Sequence, residues 1–299
     1  MGANRTRFVW RTMGLLRNRG RAFWDLRIKN RTLWEWVGLW ARRKGLVPGG
    51  VVLPFGYTLS WDENWRGALD FLAGEYEPEV TRIFHELLKP GSTVVDVGAN
   101  IGYYTLLGMY KVGDAGHVYS FEPDPVLSGV LSKNVRINKG SKCSVTILPM
   151  AVADFQGSAS FYSDGTGVSG SLYSSSWPAA HHIVQVTTLD DFFRSQRWPR
   201  VDLIKIDAEG SELACLKGGR ELFGRNPWVH LLMEINARSL QRAGIGVSDV
   251  FLELERLGFV KIEVVELGMC AVENCEMERL MEQVWKQPFA VVNVLCSRG

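Results

Sequence analysis

Two short stretches carry side chains whose types and spacing can do chemistry. The first is Asp96-Val97-Gly98-Ala99-Asn100-Ile101-Gly102, where a run of β-branched and apolar residues (Thr93–Val97) gives way to a helical pattern. A strand that passes directly into a helix bends tightly, and Gly98 and Gly102 remove the Cβ there so that a ligand can approach the backbone. Unpaired N–H groups at a helix start suit an anionic group such as a carboxylate, and Asp96 at the strand end suits an ammonium or braces the loop. Beyond Gly102, Glu122 closes a second short strand (Val118–Phe121). A carboxylate there can accept from both hydroxyls of a ribose. Order, spacing and context favour a nucleoside site over glycines that only tighten a turn.

A dinucleotide site asks for Gly-x-Gly-x-x-Gly. Here Asn100 stands in the place of the middle glycine, and the acid precedes the first one. Losing that glycine removes the close approach of a pyrophosphate. The pattern therefore points away from NAD and toward a smaller adenosine ligand with a charged amino-acid tail.

The second stretch is Ile204-Lys205-Ile206-Asp207-Ala208-Glu209-Gly210-Ser211-Glu212, at the end of another apolar strand. Parallel strands bring their carboxyl ends to one edge, so Asp207 is expected beside the first stretch. Asp207 and Glu209, two apart, face the same side while the chain stays extended. Asp207 reads as functional; for Glu209 the alternative is that it caps the next helix with Ser211. A lysine inside a buried strand is unusual, so Lys205 either snorkels to the edge or pairs with an acid of the site.

The elements that must position these residues alternate between strand and helix. Strands are predicted at Thr93–Val97, Val118–Phe121, Val145–Leu148, Val201–Ile206, Val229–Ile235, Val260–Val265 and Phe289–Leu295. Helices are predicted over Asn100–Val112, from Asp124-Pro125 onward, and over Glu212–Phe223 and Val250–Leu257. Ala159–Tyr162 and Ile183–Val186 suggest an added antiparallel pair. That rhythm predicts an α/β fold, a doubly wound and mostly parallel sheet with helices on both faces. Residues 163–182, with nine Gly or Ser, read as a long flexible loop. Three segments follow: a basic Trp-rich extension (1–45), lead-in strands and a helix (46–90), and the ligand-binding domain (91–299).

Charge is uneven. Residues 1–45 hold twelve Lys/Arg against two acids and five of the eleven tryptophans, whereas the remainder holds 22 basic and 30 acidic residues. Such an arm packs on the core, lies on an anionic membrane, or binds phosphates; packing is the default because five exposed tryptophans are costly. The net acidic body speaks against nucleic acid. Five cysteines in no metal-binding pattern read as free thiols in a reducing compartment, so a cytoplasmic location is expected, with peripheral contact at the inner membrane face through residues 1–45. No segment approaches the ~20 apolar residues of a membrane span, and the first residues lack the apolar core of a secretory signal.

DVGANIGYYT (96–105), Phe121-Glu122-Pro123, the Asn134/Asn138 pair, and IKIDAEGSE (204–212) followed by Leu-Lys-Gly-Gly (216–219) resemble the FkbM-type methyltransferase family. The likeness runs from Tyr76-Glu77-Pro78 to about Val265. The resemblance implies a class I (Rossmann-like) methyltransferase fold, S-adenosylmethionine as donor, and O-methylation of a sugar, glycan or polyketide-type hydroxyl. It carries cofactor binding onto Asp96, Gly98, Asn100, Gly102 and Glu122. An Asn frequent in the family after the third strand is Pro149 here, which leaves the adenine contact near Ala153 and Asp154 open.

For methyl transfer, Asp207 is the first candidate for the base and Glu209 the second, with Glu234 and His230 behind them. Asp207, Glu209 and Glu234 are also candidates to hold a Mg²⁺ that orients vicinal hydroxyls. Tyr173, Trp177, His181 and His182 are candidates to touch the acceptor, which a membrane-associated arm would allow to be lipid-linked. The competing functions are an NAD-dependent oxidoreductase and a non-catalytic cofactor-binding module recruited to a membrane.

Overall fold

The computed structural model describes residues 49–61, 71, 76–138, 140, 142–163, 170–173, 180–265, 270–271 and 291–298 of the 299-residue chain. The expectations for residues 1–45 and for Trp177 lie outside the described residues.

In chain order the elements are β1 (Gly50–Val52), β2 (Thr58–Ser60), α1 (Pro78–Leu87), β3 (Thr93–Val97), α2 (Tyr103–Val112), β4 (His117–Phe121), α3 (Pro125–Ile137), β5 (Ser144–Leu148), β6 (Met150–Val152), β7 (Gly157–Ser163), β8 (Gly170–Ser171) and β9 (Ala180–Thr187). Then come α4 (Leu189–Ser195), β10 (Leu203–Ile206), α5 (Glu212–Lys217), α6 (Arg220–Arg225), β11 (His230–Asn236), α7 (Ala237–Arg242), α8 (Val247–Arg256), β12 (Lys261–Val264), β13 (Cys270–Ala271) and β14 (Val291–Ser297).

The main sheet has the order β13-β12-β14-β11-β10-β3-β4-β5. Strands β5, β4, β3, β10 and β11 are parallel neighbours, while β14 runs antiparallel to both β11 and β12. After β3 the chain winds outward through β4 and β5, then returns to β10 on the other side of β3. The winding reverses between β3 and β10, and in open α/β sheets such a crevice takes the ligand.

Alternation along the central strands sends successive side chains to opposite faces. Val94, Leu203 and Leu232 pack with α1, α2 and the β1–β2 hairpin through Ile83, Phe84, Leu106 and Leu59. Val95, Ile204 and Leu231 pack with α4 to α8 through Phe193, Leu216, Phe223 and Leu254. By the same alternation Asp96, Lys205 and Glu234 belong to the α1/α2 face.

Local signals explain the helix starts. Asp124 caps α3, its Oδ1 accepting from the N–H of Val126 at 2.8 Å and of Leu127 at 3.2 Å, with Pro125 in the first turn. The predicted single helix Glu212–Phe223 is two helices. Gly218 packs against the Ala153 carbonyl, where a Cβ would overlap, and the Asp190 carboxylate accepts from the N–H of Glu221 and Leu222 at 3.0 and 2.8 Å, opening α6 afresh.

The residues predicted as one loop, 163–182, contribute to a second sheet ordered β6-β9-β7-β8. β7 and β9 form the expected antiparallel pair, with Ala159 opposite Val184 and Tyr162 opposite His181, and Gly170–Ser171 pairs with Tyr162–Ser163. The Gly/Ser composition concealed this strand because backbone pairing, not side-chain pattern, defines it.

Candidate active site

At the carboxyl ends of β3 and β10 the two chemical stretches meet through their backbones. The N–H of Asp207 donates to the Val97 carbonyl at 3.0 Å. Gly98 has φ 79°, and a Cβ on it would overlap the Asp207 carbonyl. The missing Cβ at Gly98 thus admits the neighbouring strand end, while the Gly98 backbone also lines the cavity. A Cβ on Gly102 (φ 96°) would likewise overlap the Leu131 side chain of α3.

One half of the site is the loop between β3 and α2. Asn100 is left-handed (φ 51°), which aims its N–H at Glu122 Oε2, 2.7 Å away. Glu122 Oε1 accepts the N–H of Asp124 at 2.9 Å. The loops after β3 and β4 are therefore joined through one carboxylate. Burial pushes that carboxyl up to about 8, against the two N–H donors that favour its charge. Thr105 donates to Asp96 Oδ2 at 2.8 Å and Ser120 donates onward to Thr105 at 2.8 Å. Among the described residues Asp96 Oδ1 is buried without a partner, an unmet acceptor behind the cavity wall. The Gly98–Asn100 turn and Glu122 thus fit a nucleoside, with Asp96 buried behind the cavity wall at Val97 and Gly98.

The other half is acidic and organised around Lys205. Its Nζ donates to Asp207 Oδ2 at 2.9 Å and lies 4.8 Å from the centroid of the Tyr104 ring, while the residue is only 3% exposed. Of the two expected states of Lys205, pairing is the one formed. Tyr104 Oη donates to Glu77 Oε2 at 2.6 Å. Glu77 precedes Pro78, which bars it from the α region, and it adopts the left-handed region (φ 41°, ψ 66°). That conformation, unusual for Glu, turns the carboxylate toward Tyr104 rather than onto its own helix. Glu209 is left-handed as well (φ 47°), and its Oε2 accepts from Asn236 Nδ2 at 3.1 Å and Ser239 Oγ at 2.7 Å. Its side chain reaches α7 instead of capping α5. The turn before α5 is held by Glu212, whose carboxylate accepts the Gly210 N–H at 2.9 Å.

A cavity of about 230 Å³ joins the halves, with Gly98, Asn100 and Glu122 on one wall and Glu77, Asp207 and Glu234 on another. The small sheet closes a side through Phe161, Gly170 and Leu172. Ser211 also lines it, 2% exposed and with no hydrogen-bond partner for its hydroxyl among the described residues. Sequence reasoning missed Glu77 and Ser211 as site residues. The proline after Glu77 was the available signal for the first; for Ser211 there was none.

Other candidates fall elsewhere. The cavity wall after β5 is Met150–Val152, whereas Ala153 packs against Gly218 and Asp154 is exposed. Tyr173 is half-buried beside Gly210, outside the cavity wall. His181 is exposed on β9 beside Tyr162, and His230 starts β11 at the opposite edge of the sheet. Among the described residues no three His, Cys, Asp or Glu side chains form a group able to hold a metal. Asp207 is committed to Lys205, and Glu209 to Asn236 and Ser239, so the suggested Mg²⁺ set of Asp207, Glu209 and Glu234 is not assembled.

A doubly wound sheet with this strand order and a nucleoside-type loop at its switch point defines a class I methyltransferase fold. Residues 96–261 match the methyltransferase FkbM domain, and the chain belongs to that family. It is 27% identical over 161 residues to the hexuronic acid methyltransferase AglP of Haloferax volcanii, a match covering 53% of this chain and 61% of that protein. It is 26% identical over 202 residues to the 2-O-methyltransferase NoeI of Sinorhizobium fredii, covering 60% of this chain and 80% of the relative. The chain thus spans less than two thirds of the first of these relatives. The crystal structure of methyltransferase FkbM from Methylobacillus flagellatus KT aligns with a TM-score of 0.36 at 19% identity, over 63% of this chain and 46% of that one.

Proposed function

We propose that the protein transfers the methyl group of S-adenosylmethionine to a hydroxyl of a sugar-type acceptor. The observation that carries this reading is the single cavity in which the Gly98–Asn100 turn and Glu122 face Glu77, Asp207 and Glu234. Glu122 receives the ribose hydroxyls, and the acidic half the acceptor. When bound, the donor supplies a methyl carbon on a cationic sulfur that leaves as a neutral thioether. The chain's part is alignment of acceptor oxygen, methyl carbon and sulfur, where most of the rate gain in such displacements lies. Asp207, ion-paired with Lys205 at 2.9 Å, accepts a hydrogen bond from an acceptor hydroxyl and orients it. Among the described lining residues Lys205 is the one cation against several carboxylates, which favours a neutral polyhydroxylated acceptor over a uronate. No helix of the described residues is long and apolar enough to cross a membrane, and membrane contact through residues 1–45 belongs to this proposal as the route to a lipid-linked acceptor.

The test is calorimetric titration with S-adenosylhomocysteine, then transfer of labelled methyl from S-adenosylmethionine to methyl β-glucopyranoside and to its uronate. Binding, with transfer to the neutral glycoside above the uronate, supports the reading. NAD binding in place of S-adenosylhomocysteine would overturn it.

A further inference from the structure

The carboxyl groups around the cavity differ in how they are held. Glu122 accepts two backbone N–H groups, Asp124 caps α3, Glu77 accepts from Tyr104, Asp207 pairs with Lys205, and Glu209 accepts from Asn236 and Ser239. Glu234 lines the same cavity, and among the described residues its side chain makes no hydrogen bond or ion pair. It sits one residue beyond the Ile206–Met233 pairing of β10 with β11, beside Asp207.

A carboxylate already stabilised by an ammonium is a weak proton acceptor; an uncompensated one in a cluster of acids is a strong one. We infer that Glu234, not the ion-paired Asp207, takes the acceptor's proton in the methyl transfer proposed above, on which this inference rests. The step balances without any further reactant. The acceptor O–H proton passes to the Glu234 carboxylate, the oxygen forms its bond to the methyl carbon, and the carbon–sulfur bond breaks with its electron pair left on sulfur.

Among the described residues the charged groups facing Glu234 are Glu77 from the start of α1, Lys205 of β10, and Asp207 and Glu209 from the turn after it. Across the sheet, β14 offers the uncharged Asn293. Burial and the carboxylates Asp207, Glu209 and Glu77 push the Glu234 carboxyl well up, with Lys205 opposing them. A sulfonium cation entering the cavity acts with Lys205 and favours the anion. Glu234 is therefore readied by the charged donor and returned to its protonated state beside the neutral product.

Two measurements test this. The first is calorimetric binding of S-adenosylmethionine and of S-adenosylhomocysteine near neutral pH, in two buffers of different ionisation enthalpy. More protons are expected to leave with the cationic ligand than with the neutral one in the native protein, and equal numbers in Glu234→Gln. Equal release in the native protein, or a difference that survives in the variant, overturns the inference. The second is transfer to methyl β-glucopyranoside: Glu234→Gln should lower kcat by about 100-fold or more while S-adenosylhomocysteine affinity stays unchanged. A kcat within about threefold of native overturns it, since general-base catalysis is worth far more. Because the Glu234 side chain has no hydrogen-bond partner among the described residues, the variant strands none of them. Absence of binding by both ligands would instead bring down the donor reading itself, and the inference with it.

Discussion

Asn100 gives its backbone N–H to Glu122 at 2.7 Å, and this bond ties the loop after β3 to the end of β4. The carboxylate proposed to read the ribose is also the one that shapes the turn beneath it. Glu122→Ala removes the acceptor for both diol and turn. S-adenosylhomocysteine affinity should fall about 10- to 100-fold by calorimetry, the scale of one lost charged acceptor.

The buried acids set a pH dependence. Burial pushes Glu122 up to about 8 and Glu212 up to about 7. Both values lie above the ordinary 4.5, so between these limits the folded chain keeps protons that the unfolded chain has lost. Stability is then greatest below that window and falls as pH rises through it. Thermal unfolding followed from pH 5 to 9 should show a declining Tm, and Glu122→Gln should flatten the upper part of the decline.

Gly98 stands against the carbonyl of Asp207 at φ 79°. Gly98→Ala forces the ends of β3 and β10 apart and places a Cβ in a disfavoured backbone region. A loss of more than about 1 kcal/mol is expected, with weaker donor binding, since alanine at positive φ is destabilising before any overlap is counted. Urea unfolding checks the first part and calorimetry the second.

Lys205 is the counter-charge for the acidic half. Lys205→Met keeps length and apolar contact with Tyr104 but leaves Asp207 unpaired. Breaking a buried pair from one side costs about 3 kcal/mol or more, less here because Asp207 is 25% exposed. Denaturant unfolding should report it, and addition of Asp207→Asn should recover part of the loss.

Some resemblance-bearing residues serve the scaffold. Asn134 is fully buried; its Oδ1 accepts the Ser60 N–H at 2.9 Å and its Nδ2 donates to the carbonyls of Ser60 and Ile101 at 2.9 and 2.7 Å. Asn138 repeats this at Thr58, with bonds of 2.8 and 2.7 Å. The pair fastens the β1–β2 hairpin to α3, a role invisible in sequence because its hairpin partners lie more than 70 positions away.

The sequence by itself determined the features written in local pattern. Alternating apolar strands and capped helices specified the doubly wound sheet, and the Asp96–Gly102 turn, Glu122 and Asp207 followed, because strand ends of such a sheet share one edge. Tertiary structure decided whatever depends on partners distant in the chain. It paired Lys205 with Asp207, drew Glu209 to Ser239, brought Glu77 in from the start of α1, and left the Glu234 side chain without a hydrogen bond among the described residues. A side chain's charge state and availability come from desolvation and from neighbours within a few ångströms, and no spacing along the chain records those.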